Sequence, residues 1–134
     1  MKSSFDLENK VVVITGGAGL IGKSFVKAVI ENGGTAIIAD VDENAGKKAM
    51  DEISTELGSD RIEFIKVDIT CKTSIRRMID AVVDKYQMID ALVNNAYPRN
   101  KNYGRKFEDV SYEDFCENLN LHLGGYFLIS QEIS

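Results

Sequence analysis

The apolar positions change period repeatedly along the chain. Val11-Val12-Val13-Ile14-Thr15 is a continuous β-branched run met at once by glycines, the pattern of a strand buried on both faces. From there Leu20, Ile21, Phe25, Val26, Val29 and Ile30 fall at helical spacing. Asn32-Gly33-Gly34 closes that helix, because glycine takes the left-handed cap conformation at little cost. Thr35 to Asp40 predicts a second strand. Ala45, Ala49, Ile53 and Leu57 step by four, predicting a helix over 43–57 that Gly58 stops. Residues 61–67 (RIEFIKV) predict a third strand, and Ile75, Met78, Ile79, Val82, Val83 and Tyr86 an amphipathic helix. A fourth strand spans 90–94 around Ala91-Leu92-Val93, and a polar loop runs on from Tyr97. Ser111-Tyr112-Glu113-Asp114 reads as a capping box that opens a last helix, with Phe115, Leu119, Tyr126 and Ile129 on one face.

Strands and helices thus alternate without a linker, repeat or low-complexity segment. That order predicts an α/β fold: a parallel sheet with right-handed crossovers and helices on both faces. Ligands in such folds bind beyond the carboxyl ends of the strands, where the strand order reverses. The residues that follow each strand are therefore the candidates for chemistry.

Composition narrows the class. The chain has 134 residues, 44% hydrophobic and 28% charged, enough to bury one core and too apolar for a disordered chain. Cys71 and Cys116 lie far apart with no CxxC spacing, which argues against a disulfide scaffold and for a reducing cytoplasm. No apolar run approaches the roughly 18 residues of a membrane span. The opening MKSSFDLENK lacks the apolar core of a secretory signal. Sixteen basic residues against twenty-one acidic give a net charge of -5. The densest basic run, over 99–106, is diluted by neutral polar residues, so neither nucleic acid nor a membrane is an expected partner.

The first strand leads into Thr15-Gly16-Gly17-Ala18-Gly19-Leu20-Ile21-Gly22. Gly17, Gly19 and Gly22 fit G-x-G-x-x-G between a strand and a helix, the context in which that pattern binds a dinucleotide. Glycines there permit the tight turn, let a pyrophosphate approach the backbone, and let the helix pack on the strand. The helix N-terminus attracts the phosphate charge. Asp40 ends the second strand, about 20 residues on, where a carboxylate accepts ribose hydroxyls. Val41 and Asp42 follow, with no cation to hold a 2′-phosphate, so NAD is expected rather than NADP. The competing reading of Asp40 is a helix cap, a role that suits Asp42 better. No metal site is expected.

Taken together, these features resemble the short-chain dehydrogenase/reductase family over the whole chain. Asp68-Ile69 stands where that family places an Asp against the adenine ring. Asn94-Asn95-Ala96 matches its Asn-Asn-Ala-Gly motif beside the cofactor, with Tyr97 replacing the glycine, and FCENLNLHLGGYFL over 115–128 resembles its next helix. The resemblance implies a Rossmann-type doubly wound sheet of order 3-2-1-4. Residues 1–134 would form a single NAD-binding domain, the N-terminal part of a longer enzyme. Thr15, Gly16, Gly17, Gly19, Leu20, Ile21, Gly22, Asp40, Asp68, Ile69, Asn94, Asn95 and Ala96 are its expected cofactor-binding residues.

Departures bear on the activity. Leu20 occupies the middle glycine of the family's common T-G-x-x-x-G-x-G spacing; the spacing seen here is that of its extended branch, whereas Asn-Asn-Ala belongs to the shorter one. The family's fourth-helix Asn, which holds a water in the proton relay, aligns with His122; Asn120 is the other candidate. His122 is therefore the candidate catalytic residue, against the reading of a core histidine on an apolar face. The family's Ser and helical Tyr-x-x-x-Lys do not occur after the fourth strand. Tyr97…Lys101 fits the letters only, since Pro98 biases Tyr97 away from helix and the pair needs one helix face. The expectation is a truncated chain that binds cofactor without completing hydride transfer; the alternative is a non-catalytic NAD(H)-binding module or subunit.

Tyr97 and Arg99 are placed to touch substrate, and Arg99 or Lys101 would suit an anionic one; a solvated loop is the competing reading. The Asn-Asn-Ala-Tyr-Pro-Arg-Asn and Asn-Leu-His-Leu-Gly-Gly stretches are most similar to bacterial flagellin-modification and surface-polysaccharide oxidoreductases, which implies a sugar or sugar-phosphate substrate. The family also implies a full-length homodimer or homotetramer. An uncovered fourth strand would further favour self-association.

Overall fold

A computed structural model describes residues 5–134; Met1–Ser4, the start of the stretch read for a secretory signal, lie outside the described residues. The chain runs β1 (Val11–Thr15), α1 (Leu20–Glu31), β2 (Thr35–Asp40), α2 (Glu43–Leu57), β3 (Ile62–Lys66), α3 (Lys72–Tyr86) and β4 (Ala91–Val93). A 3-10 turn over Phe107–Asp109 precedes α4 (Tyr112–Leu119), a π-helical turn (Asn120–Gly124) and α5 (Gly125–Ile133). The four strands form one parallel sheet of order β3-β2-β1-β4. Val11 pairs with Thr35, Ala36 with Ile62 and Val12 with Ala91.

The unbroken apolar runs of β1 and β2 have a direct cause: alternate side chains enter two different cores. Val11, Val13, Ile37 and Ala39 face α3 and α5, packing on Ile75, Met78, Val82 and Ile129. Val12, Ile14, Ala36 and Ile38 face α1 and α2, packing on Val26, Val29, Ile30, Ala49 and Ile53. The result is three layers with β1 and β2 at the centre, each buried Val, Ile or Met side chain contributing roughly 1.5–3 kcal/mol.

Helix ends follow the expected chemistry. The Asp42 carboxylate accepts the Ala45 N–H at 2.9 Å and caps α2, which Gly58 ends at φ 58°. Just before the fourth strand, the Asp90 N–H donates to the Val11 carbonyl at 2.9 Å, and its side chain also serves the start of β1. Its carboxylate accepts the Val11 N–H at 2.8 Å and the Lys10 ammonium at 3.0 Å. Those contacts, the Val11 N–H foremost, hold the Asp90 carboxyl below its ordinary pKa.

The last helix departs from expectation. The Ser111 hydroxyl accepts the Asp114 N–H at 3.1 Å, but the Asp114 carboxylate turns to Asn100 and Asn102 instead of back to the cap. Phe115 and Leu119 are 57% and 48% exposed, while Ile129 is fully buried. The π turn explains the split. It adds a residue to the helix, and each residue rotates the following face by about 100°. Residues that share a face by 3.6-residue spacing therefore do not share one across residues 120–124.

Candidate functional site

β1, β2 and β3 all end at the same rim, and β1 passes into the glycine turn there. Gly16 has φ 63°, and its N–H donates to the Ala39 carbonyl at 2.8 Å. A Cβ on Gly16 would stand 2.8 Å from the Ala96 Cα, and one on Gly22 would run into the Gly16 carbonyl oxygen. The turn is thus pressed between β4 and α1, with room for backbone alone.

The opening of α1 has Gly19 as its cap residue, no side-chain cap and no acidic residue in its first turn. Its orphan N–H groups and positive dipole end remain available to an anion. Leu20 and Ile21, apolar yet 91% and 64% exposed, flank this opening. The cleft in front of them holds about 800 Å³, within the range of cofactor sites. Its walls are the glycine turn, Asp40-Val41, residues 67–70, residues 95–99 and Leu121. A glycine cradle that a Cβ would fill, an uncapped helix N-terminus and a carboxylate across the rim fit the adenosine diphosphate half of a nicotinamide dinucleotide.

Asp40 joins the first two walls. One carboxylate oxygen accepts the Ala18 N–H and the other the Asp42 N–H, each at 3.1 Å. An ionised carboxylate offers about four lone-pair directions, so acceptor capacity remains toward the cleft. Asp42, not Asp40, caps α2. Asp68 is braced by Thr70, whose N–H and hydroxyl donate to it at 2.9 and 2.7 Å. Ile69 packs in the core beneath and still meets the cleft.

Of the expected cofactor residues, Gly16, Gly19, Leu20, Ile21, Gly22, Asp40, Asp68, Ile69, Asn95 and Ala96 line this cleft. Thr15, Gly17 and Asn94 do not, and each has a different position. Thr15 is fully buried; its hydroxyl donates to the Val93 carbonyl and accepts the Asn95 and Ala96 N–H groups, both at 3.0 Å. Gly17 lies beneath the turn, against the Ile14 carbonyl and Ile38. Asn94 turns toward α5, donating to the Ser130 hydroxyl at 3.1 Å. Asn95 is the clamp of the motif: its amide donates to the Thr15 and Gly16 carbonyls, both at 3.1 Å, and fastens the glycine turn to β4.

Past Ala96 the wall is made of Tyr97, Pro98 and Arg99. Asn100 ties this segment to α4. Its N–H donates to the Asn118 side-chain oxygen at 2.8 Å, and its amide donates to Asp114 and Glu117 at 2.8 and 2.7 Å. Asn102 adds two bonds to the same Asp114 carboxylate. The Asn102 amide, then Asn100, hold the Asp114 carboxyl below its ordinary value despite burial.

His122, in the π turn, is half-buried and does not line the cleft. Its ring packs edge-on between Tyr97 and Tyr126, with centroids at 4.3 and 4.7 Å, and among the described residues no hydrogen bond reaches its nitrogens. Tyr97 lies outside any helix and shares a 2.9 Å hydroxyl–hydroxyl bond with Tyr103. That bond, followed by burial, raises the Tyr97 pKa, the opposite of what an activated phenol needs. Tyr97 and Lys101 are therefore no catalytic pair.

Sequence reading missed Val41, Val67, Thr70 and Leu121 on the cleft wall, and Ala39 at the end of β2. Their position just past a strand end was a usable signal for the first three. Leu121 is presented by the π turn, which spacing does not reveal.

The model of the short chain dehydrogenase family matches residues 10–134, and the chain belongs to that family. Over 127 residues it is 42% identical to the post-translational flagellin modification protein A of Campylobacter coli, covering 94% of this chain and 49% of the relative. Its fold superposes on a 3-ketoacyl-(acyl-carrier-protein) reductase from Brucella melitensis complexed with NADH, at TM-score 0.80 and 26% identity. That match covers 95% of this chain and 49% of the reductase. An NAD+-bound xylitol dehydrogenase matches at TM-score 0.83 and 25% identity, over 96% of this chain and 48% of that one. The chain thus spans about half the length of these relatives.

Proposed function

We propose that these residues form the NAD-binding domain of an oxidoreductase that moves a hydride between NAD(H) and an alcohol or carbonyl carbon of a small molecule. The observation that carries this reading is Asp40 on the cleft wall, across from the uncapped start of α1. Gly16, Gly19 and Gly22 admit the pyrophosphate to the backbone, and the α1 N–H groups bind its charge. Asp40 accepts the adenosine ribose hydroxyls and repels a 2′-phosphate, so NAD is preferred over NADP. Asp68 and Ile69 border the adenine. Thr15, Gly17, Asn94 and Asn95 hold the cradle in shape.

When bound, the nicotinamide supplies or accepts the hydride. His122 occupies the family's fourth-helix Asn position, and its free nitrogens suit a bound water of the proton relay. In the full-length enzyme, His122→Asn should keep turnover and His122→Ala lower it; equal turnover in both would remove His122 from the relay. These 134 residues carry no helical Tyr-x-x-x-Lys, so they bind cofactor without turnover. The similarity to a flagellin modification protein supports a sugar-derived substrate.

No helix among the described residues is long and apolar enough to cross a membrane. A cytoplasmic site of action is part of this proposal, as is a full-length homodimer or homotetramer; Phe115, Leu119 and Phe127, exposed along α4 and α5, support the latter. Titration of NADH fluorescence with the chain tests the central reading. Saturable binding, at least tenfold tighter than NADPH, is expected; no saturation at millimolar cofactor would overturn it.

A further inference from the structure

The geometry points to Arg99 as a specificity-determining residue that reads an oxyanion, a carboxylate or a phosphate, carried by the substrate. The inference rests on the cofactor placement above and adds what sits beside the cofactor's reactive end. The rim of the sheet runs from Asp68 after β3, past Asp40 and the glycine turn, to the segment after β4. Neighbouring strands lie about 4.8 Å apart, so the β3 and β4 ends are separated by about 14 Å. With adenosine held at Asp40 and pyrophosphate at the glycine turn, the remaining half of the dinucleotide extends toward β4. Arg99 stands on that flank.

Two observations separate Arg99, itself an exposed residue, from an ordinary surface cation. It supplies the only cationic side chain on the cleft wall among the described residues, the other charges there being Asp40 and Asp68. Among the described residues it makes no ion pair, a state it shares with Arg77, Lys101 and Lys106, none of which lines the cleft. It is also held in place. Its guanidinium lies 5.3 Å from the Tyr103 ring centroid, and the Tyr103 hydroxyl is bonded to Tyr97, whose ring packs on His122. The next residue, Asn100, bonds Asp114, Glu117 and Asn118, so α4 fixes the segment. A guanidinium left unpaired but oriented presents its planar fork to a two-oxygen anion. Lys101, the other cation considered for this role, lies in the exposed 101–104 turn and off the cleft wall.

The test uses the isotope-labelled chain with saturating NADH, so that the glycine turn is filled. Inorganic phosphate and acetate are titrated separately at constant ionic strength, while the Arg99 Nε–H resonance and NADH fluorescence are followed. A saturable Arg99 shift with either anion is expected, the tighter one naming the group that is read. Arg99→Gln should weaken anion binding at least tenfold, Arg99→Lys a few-fold, and Lys101→Gln less than twofold, with NADH affinity unchanged within twofold. No saturation, or equal losses in Arg99→Gln and Lys101→Gln, would overturn the assignment while normal NADH binding leaves the cofactor reading standing. A tenfold loss of NADH affinity in Arg99→Gln would assign Arg99 to the cofactor and overturn it as well. Failure of the unsubstituted chain to bind NADH would defeat both.

Discussion

The two flanks of the cleft are built by different means. On the β1–β2 side, backbone does the shaping. Gly16 and Gly22 admit no Cβ, β1 and β2 are buried on both faces, and Asp40 is fixed by two backbone N–H groups. On the β4 side, side chains do it. The ladder is three residues long, and beyond it an asparagine–aspartate network holds residues 97–102 against α4. The first flank is rigid because close packing leaves few alternatives. The second is ordered only while its polar partners keep their geometry and charge. A surface of this second kind can change its residues without disturbing the sheet, which suits the substrate-reading role proposed for it.

This contrast predicts a graded set of effects. Ile38→Ala, beneath the glycine turn, should cost about 2–5 kcal/mol of stability in urea unfolding, since a fully buried side chain leaves a cavity. A cost below about 1 kcal/mol would contradict the rigid flank. Thr15→Val keeps the shape but leaves the Asn95 and Ala96 N–H groups unpartnered. It should cost about 1–3 kcal/mol and loosen both flanks together, seen as faster amide exchange at Ala96.

The β4 flank should respond to acid through Asp114. The Asp114 carboxyl titrates below its ordinary value in the folded chain. Its stabilising contribution is therefore complete above the ordinary carboxyl value of ~3.9, and is lost as pH falls through the lower folded value. The Asn100 and Asn102 side-chain amide resonances should shift in that window, and Asp114→Asn should abolish the shift. Identical profiles in both proteins would remove Asp114 from the network. Smallest of all, Phe115→Ala on exposed α4 should change monomer stability by no more than about 0.5 kcal/mol. A loss comparable to that of Ile38→Ala would show that α4 buries this ring.

The same contrast explains what could be read in advance. The β1–β2 flank is written in local patterns: an apolar run, glycines at fixed spacing, then an aspartate at the next strand end. Each of these follows from backbone geometry, so the positions of the 16–22 turn and of Asp40 at the strand ends were legible from residues alone. The division between Asn94 and Asn95 was also available, because successive residues near a strand end point to opposite faces. The rest was hidden. Phe115, Leu119, His122, Tyr126 and Ile129 have unbroken helical spacing, and nothing in that spacing announces the extra residue of the π turn. The bonds of Asn100 and Asn102 to Asp114 and Asn118 join ordinary polar residues 12 to 18 positions apart. Their meaning comes from the fold that brings the loop onto α4.

The central claim is that the backbone-built flank recognises the adenosine half of NAD through Asp40. Calorimetric titration of the chain with NAD and with NADP, before and after Asp40→Arg, tests it most directly. The unsubstituted chain should bind NAD at least tenfold more tightly than NADP, and Asp40→Arg should weaken NAD and erase or reverse that preference. An unchanged preference in Asp40→Arg would contradict the account.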